Sequence, residues 1–112
     1  MASKYKIGYY YERKTKKILE KDGWDVWRSP ASQSPIDIIA IKPDKDQIKI
    51  KLIQIKKTSK EISNIEKTYE YDIKKMLDLA ERYKNYDNID IELWIFKKDN
   101  KSPYILNIKN LI

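Results

Sequence analysis

Leu52-Ile53-Gln54-Ile55-Lys56 is an apolar run interrupted by an amide and an ammonium two residues apart. In an extended chain such residues leave the same face, so Gln54 and Lys56 share one side of a strand. The strand is expected from Ile48 to Lys56, with Ile48, Ile50 and Leu52 on that same side and Lys49 and Lys51 as polar decoration. Upstream, Ile36-Asp37-Ile38-Ile39-Ala40-Ile41 reads as a second strand, apolar on both faces and hence central, with one acid near its start. Pro43-Asp44-Lys45-Asp46 supplies a turn between the two. An acid in one buried strand beside an amide and an ammonium in the next is a costly arrangement, because unpaired buried polar groups cost kilocalories each. Polar groups kept together at such cost are expected to serve chemistry.

Working outward, Tyr11, Thr15, Ile18 and Leu19 follow helical spacing, which predicts an amphipathic helix from about Gly8 to Asp22, closed by Gly23. Trp24 to Arg28 alternates and predicts a strand, followed by a loop over Ser29 to Pro35. Ser63-Asn64-Ile65-Glu66 reads as a capping box with Ser63 as N-cap. It opens a helix with Ile65, Tyr69, Ile73, Met76, Leu77, Ala80 and Tyr83 on its inner face. Ile89 to Phe96 is a fourth strand, Asp99-Asn100-Lys101 a hairpin turn, and Tyr104 to Ile108 a fifth strand. The order α-β-β-β-α-β-β predicts an α/β fold: a mixed sheet of about five strands flanked by helices.

The chain has 112 residues, which suits a single domain over 1–112. No stretch approaches a membrane span, and the first residues lack the apolar core of a secretory signal, so the expected location is cytoplasmic. Lys and Arg number 24 against 17 Asp and Glu, a formal charge of +7, which favours polyanions, nucleic acid before membrane. With neither His nor Cys, the usual neutral-pH general base, the thiolate nucleophile and the Cys/His zinc cage are all excluded. Remaining chemistry rests on carboxylates, Lys, hydroxyls and an oxygen-ligated hard metal such as Mg²⁺. Phosphodiester hydrolysis uses such a set: a nucleophilic water, a charge sink and a leaving-group stabiliser.

Several pieces together resemble the PD-(D/E)xK nuclease superfamily, and within it the archaeal Holliday junction resolvases. Tyr11-Glu12-Arg13-Lys14 looks like the helical Glu followed by a basic residue. Gly23-Trp24-Asp25-Val26-Trp27-Arg28-Ser29 resembles the Gly-aromatic strand ending in Arg-Ser, and Ser32 falls where the family carries a loop serine. Pro35-Ile36-Asp37 is the Pro-x-Asp element, and Gln54-Ile55-Lys56-Lys57-Thr58-Ser59-Lys60 fits (D/E)-x-K with its basic tail. The resemblance runs from about Gly8 to Lys60. One departure stands out: Gln54 replaces the second acid, as in Mrr-like restriction nucleases of the same superfamily. An amide brings a dipole where a carboxylate brings a full charge, so Mg²⁺ should be held more weakly.

The resemblance implies a restriction-endonuclease-like fold and a Mg²⁺-dependent endonuclease, with Mn²⁺ as substitute and no small-molecule cofactor. It would cut four-way DNA junctions as a homodimer whose two-fold symmetry matches the substrate. Asp37 would be the main metal ligand, completed by Gln54 Oε1 and the carbonyl of Ile55. Glu12 would reach a second metal or its water, Lys56 would orient the attacking water, and Ser32 would lie near the scissile phosphate. Arg13, Arg28, Lys57 and Lys60 would clamp the DNA backbone. Taken singly, each residue also has an ordinary reading: Glu12 pairing with Lys16, Asp37 as a turn acid, Gln54 and Lys56 as an exposed strand end. Another nuclease of the same fold, restriction-like or single-strand specific, and a catalytically weak DNA-binding protein stay open. The second long helix and the apolar stretch Ile108 to Ile112 are candidate dimer interface, unless that stretch is tucked into its own core.

Overall fold

The computed structural model describes residues 4–29, 34–98, 100 and 102–112. Helix α1 spans Lys4–Lys21, starting earlier than its apolar spacing predicts. It ends where Gly23 takes φ +89°. The Gly23 N–H donates to the Glu20 carbonyl at 3.1 Å and the Trp24 N–H to the Leu19 carbonyl at 3.1 Å. This pair of bonds is the Schellman closure, which uses a glycine because a side chain is strained there.

Strands β1 (Asp25–Arg28), β2 (Ile38–Asp44), β3 (Gln47–Thr58), β4 (Ile89–Lys97) and β5 (Tyr104–Asn107) form one sheet in sequential order. Neighbours are antiparallel except β3 and β4, which run parallel and are joined across one face by helices α2 (Ile65–Thr68) and α3 (Glu70–Arg82). This is the expected mixed sheet with helices on both sides. The turn between β2 and β3 is tighter than expected: Pro43 and Asp44 stay in the strand and only Lys45 and Asp46 turn, Lys45 at φ 56°. Asp37 lies one residue before β2, not inside it.

The long helix expected after Ser63 is two helices. Asn64, not Ser63, is the cap; it sits in the left-handed region at φ 47° and its side chain makes no capping bond. Asn tolerates that conformation better than most residues. With Asn64 so placed its carbonyl accepts from the N–H groups of Lys67 and Thr68, and the chain breaks again at Tyr69 (φ −109°, ψ 27°) before α3 begins. The capping-box reading fails because the helix starts one residue later, at Ile65, which puts Asn64 and not Ser63 at the cap position.

Two cores flank the sheet. On the α1 side, Leu19 packs with Trp24, Val26, Ile38, Ala40, Ile53, Trp94 and Phe96. On the α3 side, Ile73, Met76 and Ala80 pack with Ile36, Ile91, Leu93, Ile95 and Ile108. Strand β4 alternates between the cores and is buried on both faces. The C-terminal stretch forms a 3-10 turn, with Ile108 fully buried and Leu111 against the α3-side core; Ile112 is exposed. Most of that candidate interface is therefore spent inside the monomer.

Lys51 is also not decoration. Its ammonium lies 2.6 Å from Glu92, a nearly fully buried acid on β4 that also accepts from the Trp94 indole N–H at 2.9 Å. A buried carboxylate requires such partners. Lys49 is exposed as expected and stands 3.8 Å from Asp44. None of the described helices is long and apolar enough to cross a membrane.

Candidate active site at one end of the sheet

Antiparallel pairing brings the end of β1, the start of β2 and the last third of β3 together. Arg28 pairs with Ile38, and Ile38 with Ile53. Asp37 is pinned there through its backbone: its N–H donates to the Ile53 carbonyl at 2.8 Å and its carbonyl accepts from the Ser29 N–H at 2.9 Å. Its carboxylate accepts the Ile55 N–H at 2.8 Å. The acid that sequence places beside the Gln-x-Lys element thus sits on the backbone of that element.

Asp37 has its pKa raised above the ordinary carboxylate range. Burial is the main cause, the Ile55 N–H opposes it, and the charges of Glu12 and Asp72 add to the rise while Lys56 counters it. Glu12 and Lys56 are therefore within electrostatic reach of Asp37, as a shared site requires. Glu12 comes from α1 and accepts from Arg28 Nε at 2.6 Å, an ion pair that ties the helix to the end of β1. Among the described ion pairs, this one replaces the expected Glu12–Lys16 alternative. The Arg28 guanidinium also lies over the Tyr9 ring, 4.6 Å from its centroid.

Lys56 and Gln54 project together from β3, as their spacing predicts, and meet α3. The Lys56 ammonium is 3.1 Å from Asp72 Oδ1, and the Gln54 amide nitrogen donates to the same oxygen at 3.4 Å. Gln54 Oε1 is buried and has no hydrogen-bond partner among the described residues. A buried amide oxygen without a donor is unusual in a folded protein, and an orphan oxygen suits a hard cation. Among the described residues no three acidic, His or Cys side chains are gathered closely enough to hold a metal. The Asp37 carboxylate and Gln54 Oε1 are the oxygen donors that this strand end offers such a cation.

The other expected residues divide. Arg13 lies on α1 near Tyr9, 5.7 Å from that ring, and shares with Arg28 the groove that Glu12 lines. Lys57 and Lys60 belong to a separate groove with Tyr11, Ser59 and Lys98. Lys57 follows Lys56 directly on an extended strand, so the two leave opposite faces. Ser32 lies outside the described residues. Asp72 is the residue that sequence reasoning missed. The available signal was its place three residues after Tyr69 and four before Met76, an acid on the flank of the inner helix face.

The sequence model of the archaeal Holliday junction resolvase (hjc) family matches residues 3–111. No curated protein sequence matches the chain. Among solved structures, the chain is similar in fold to Archaeoglobus fulgidus Hjc, a Holliday junction resolvase from an archaeal hyperthermophile. That match has a TM-score of 0.61 at 14% identity and covers 91% of this chain and 73% of that one. A family match over nearly the whole length, on a fold that carries the Asp37–Gln54–Lys56 cluster at one sheet end, places the protein: the chain belongs to the archaeal Holliday junction resolvase (Hjc) family.

Proposed function

We propose that this resolvase is a divalent-metal-dependent endonuclease, using Mg²⁺ or Mn²⁺, that cuts four-way DNA junctions in recombination and repair. The observation that carries the reading is an Asp37 carboxylate held on the N–H of Ile55, the residue next to Gln54, whose buried Oε1 has no partner among the described residues. A bound cation would supply charge neutralisation at the phosphoryl oxygens and an activated water. Asp37, Gln54 and the Ile55 carbonyl would hold it, and Glu12 would stand as the outer acid. Lys56 would orient the nucleophile or meet the developing negative charge on phosphorus.

On this reading DNA is held by phosphate contacts from two groups of cations. Arg13 and Arg28 flank Glu12, and Lys57 and Lys60 line the second groove. Junction shape, read through the backbone, would set selectivity. Two cuts on a two-fold junction call for a homodimer of this one domain. The exposed Tyr104 and Ile105 on edge strand β5, and Tyr71 on α3, are apolar surface that a partner copy would cover. The setting would be the cytoplasm.

The test is a synthetic four-way junction with Mg²⁺, wild type beside Asp37→Asn. Paired symmetric nicks are expected from the wild type, with at least a hundred-fold loss in the variant, the scale of a lost transition-state contact. Binding without cutting at any Mg²⁺ or Mn²⁺ concentration would favour the weak-nuclease reading that Gln54 suggests. A monomer by sedimentation at cutting concentrations would remove the dimer.

A further inference from the structure

We infer that Asp72 is a positioning residue of this site: one carboxylate oxygen holds the Gln54 amide nitrogen and the Lys56 ammonium, aiming Gln54 Oε1 at the cation position and replacing the charge that residue 54 lacks. The inference rests on the metal-dependent reading given above. Three observations converge on it.

An amide has a donor end and an acceptor end. Anchoring Nε2 on Asp72 at 3.4 Å assigns the ends, so the acceptor is the end left buried and unpartnered. With the amide turned the other way, two oxygens would face each other across the same gap. Second, the same Asp72 Oδ1 stands 3.1 Å from Lys56 Nζ. One acid therefore fixes both side chains of the Gln-x-Lys element, and it does so from a helix across the core, not from the strand.

Third, charge points the same way. The charges that act on Asp37 are those of Glu12 and Asp72, opposed by Lys56. Asp72 adds a negative charge beside an amide that has none, which strengthens the attraction for a dication. Asp72 is only 18% exposed, so water screens its charge less than that of a surface acid.

The deciding experiment measures Mn²⁺ affinity of the full chain by calorimetry, junction binding in EDTA, and cutting, for wild type, Asp72→Asn and the exchange Gln54→Glu/Asp72→Asn. The expected result is about ten-fold weaker Mn²⁺ binding in Asp72→Asn, the scale of a lost outer-shell partner. Junction affinity in EDTA should be unchanged. The exchange variant, with carboxylate and amide swapped, should regain most of the lost affinity. Wild-type Mn²⁺ affinity in Asp72→Asn, or an exchange variant no tighter than that single variant, would overturn the proposal.

If Asp72→Asn does not fold, Asp72→Ser, a small polar replacement in the first turn of α3, decides by the same titration. About ten-fold weaker Mn²⁺ binding is expected; wild-type Mn²⁺ affinity overturns the proposal. A wild type that binds Mn²⁺ yet leaves junctions whole would sink the endonuclease reading, and Asp72 would still be judged on the Mn²⁺ affinities.

Discussion

At the scale of single residues, Asp37 shows how a fold makes one carboxylate costly to ionise. Burial and two neighbouring acids raise its pKa, and a single backbone N–H and Lys56 only partly offset them. Its folded pKa therefore lies above its unfolded value. Its contribution to stability is full below the unfolded pKa and is lost as pH rises through the folded one. At neutral pH the ionised carboxylate works against the metal-free fold. Asp37→Asn should accordingly unfold at an equal or higher urea concentration than wild type at pH 7.5 in EDTA, with the advantage shrinking as pH falls toward 4. A clear drop in the urea midpoint at pH 7.5 would mean that the Ile55 N–H bond outweighs the burial. Lys51 teaches the opposite lesson. It reads as a surface charge because its partners Glu92 and Asp90 lie on β4, some forty residues on and brought alongside β3 only by the parallel crossover.

At the scale of elements, chain punctuation was legible and helix caps were less so. Gly23 read correctly as the end of α1, because its positive φ and the two Schellman bonds depend on residues within five positions. Gly23→Ala should cost about 1–2 kcal/mol, since a side chain there is strained and its Cβ would lie 3.4 Å from the Lys42 side chain. A urea titration measures this, and junction cutting below the transition should be retained because the site is at another place on the sheet. The break between α2 and α3 was not legible. Ile65, Tyr69, Ile73 and Met76 keep one inner face across it, so periodicity runs on where the backbone does not. The face is held by packing against β4 and the terminal 3-10 turn.

At the scale of the whole molecule, a net charge of +7 on 112 residues makes association with DNA strongly salt-dependent. Replacing Lys57 or Lys60 by Ala should each lower the slope of log affinity against log salt by about 1, with cutting at saturating protein unchanged. Equal slopes for variant and wild type would take the second groove out of the DNA path. The two lysines suit this test because they stand apart from Asp37 and Gln54.

Local spacing by itself determined the element order, the faces of α1 and α3, and the pairing of Gln54 with Lys56 on one side of β3. The expectation of Asp37, Glu12 and Lys56 in one site came from the resemblance to the nuclease motif; the β2–β3 pairing sets Asp37 on the Ile55 N–H, and Glu12 comes from α1. Only the tertiary structure decided what those groups touch. Arg28 closes on Glu12 because β1 lies beside α1, Lys51 meets Glu92, and Asp72 reaches Gln54 and Lys56 from the helix packed on their face of the sheet. Periodicity registers which face a residue leaves. Contacts between elements far apart in sequence arise from how the faces stack, and nothing local in the chain encodes that.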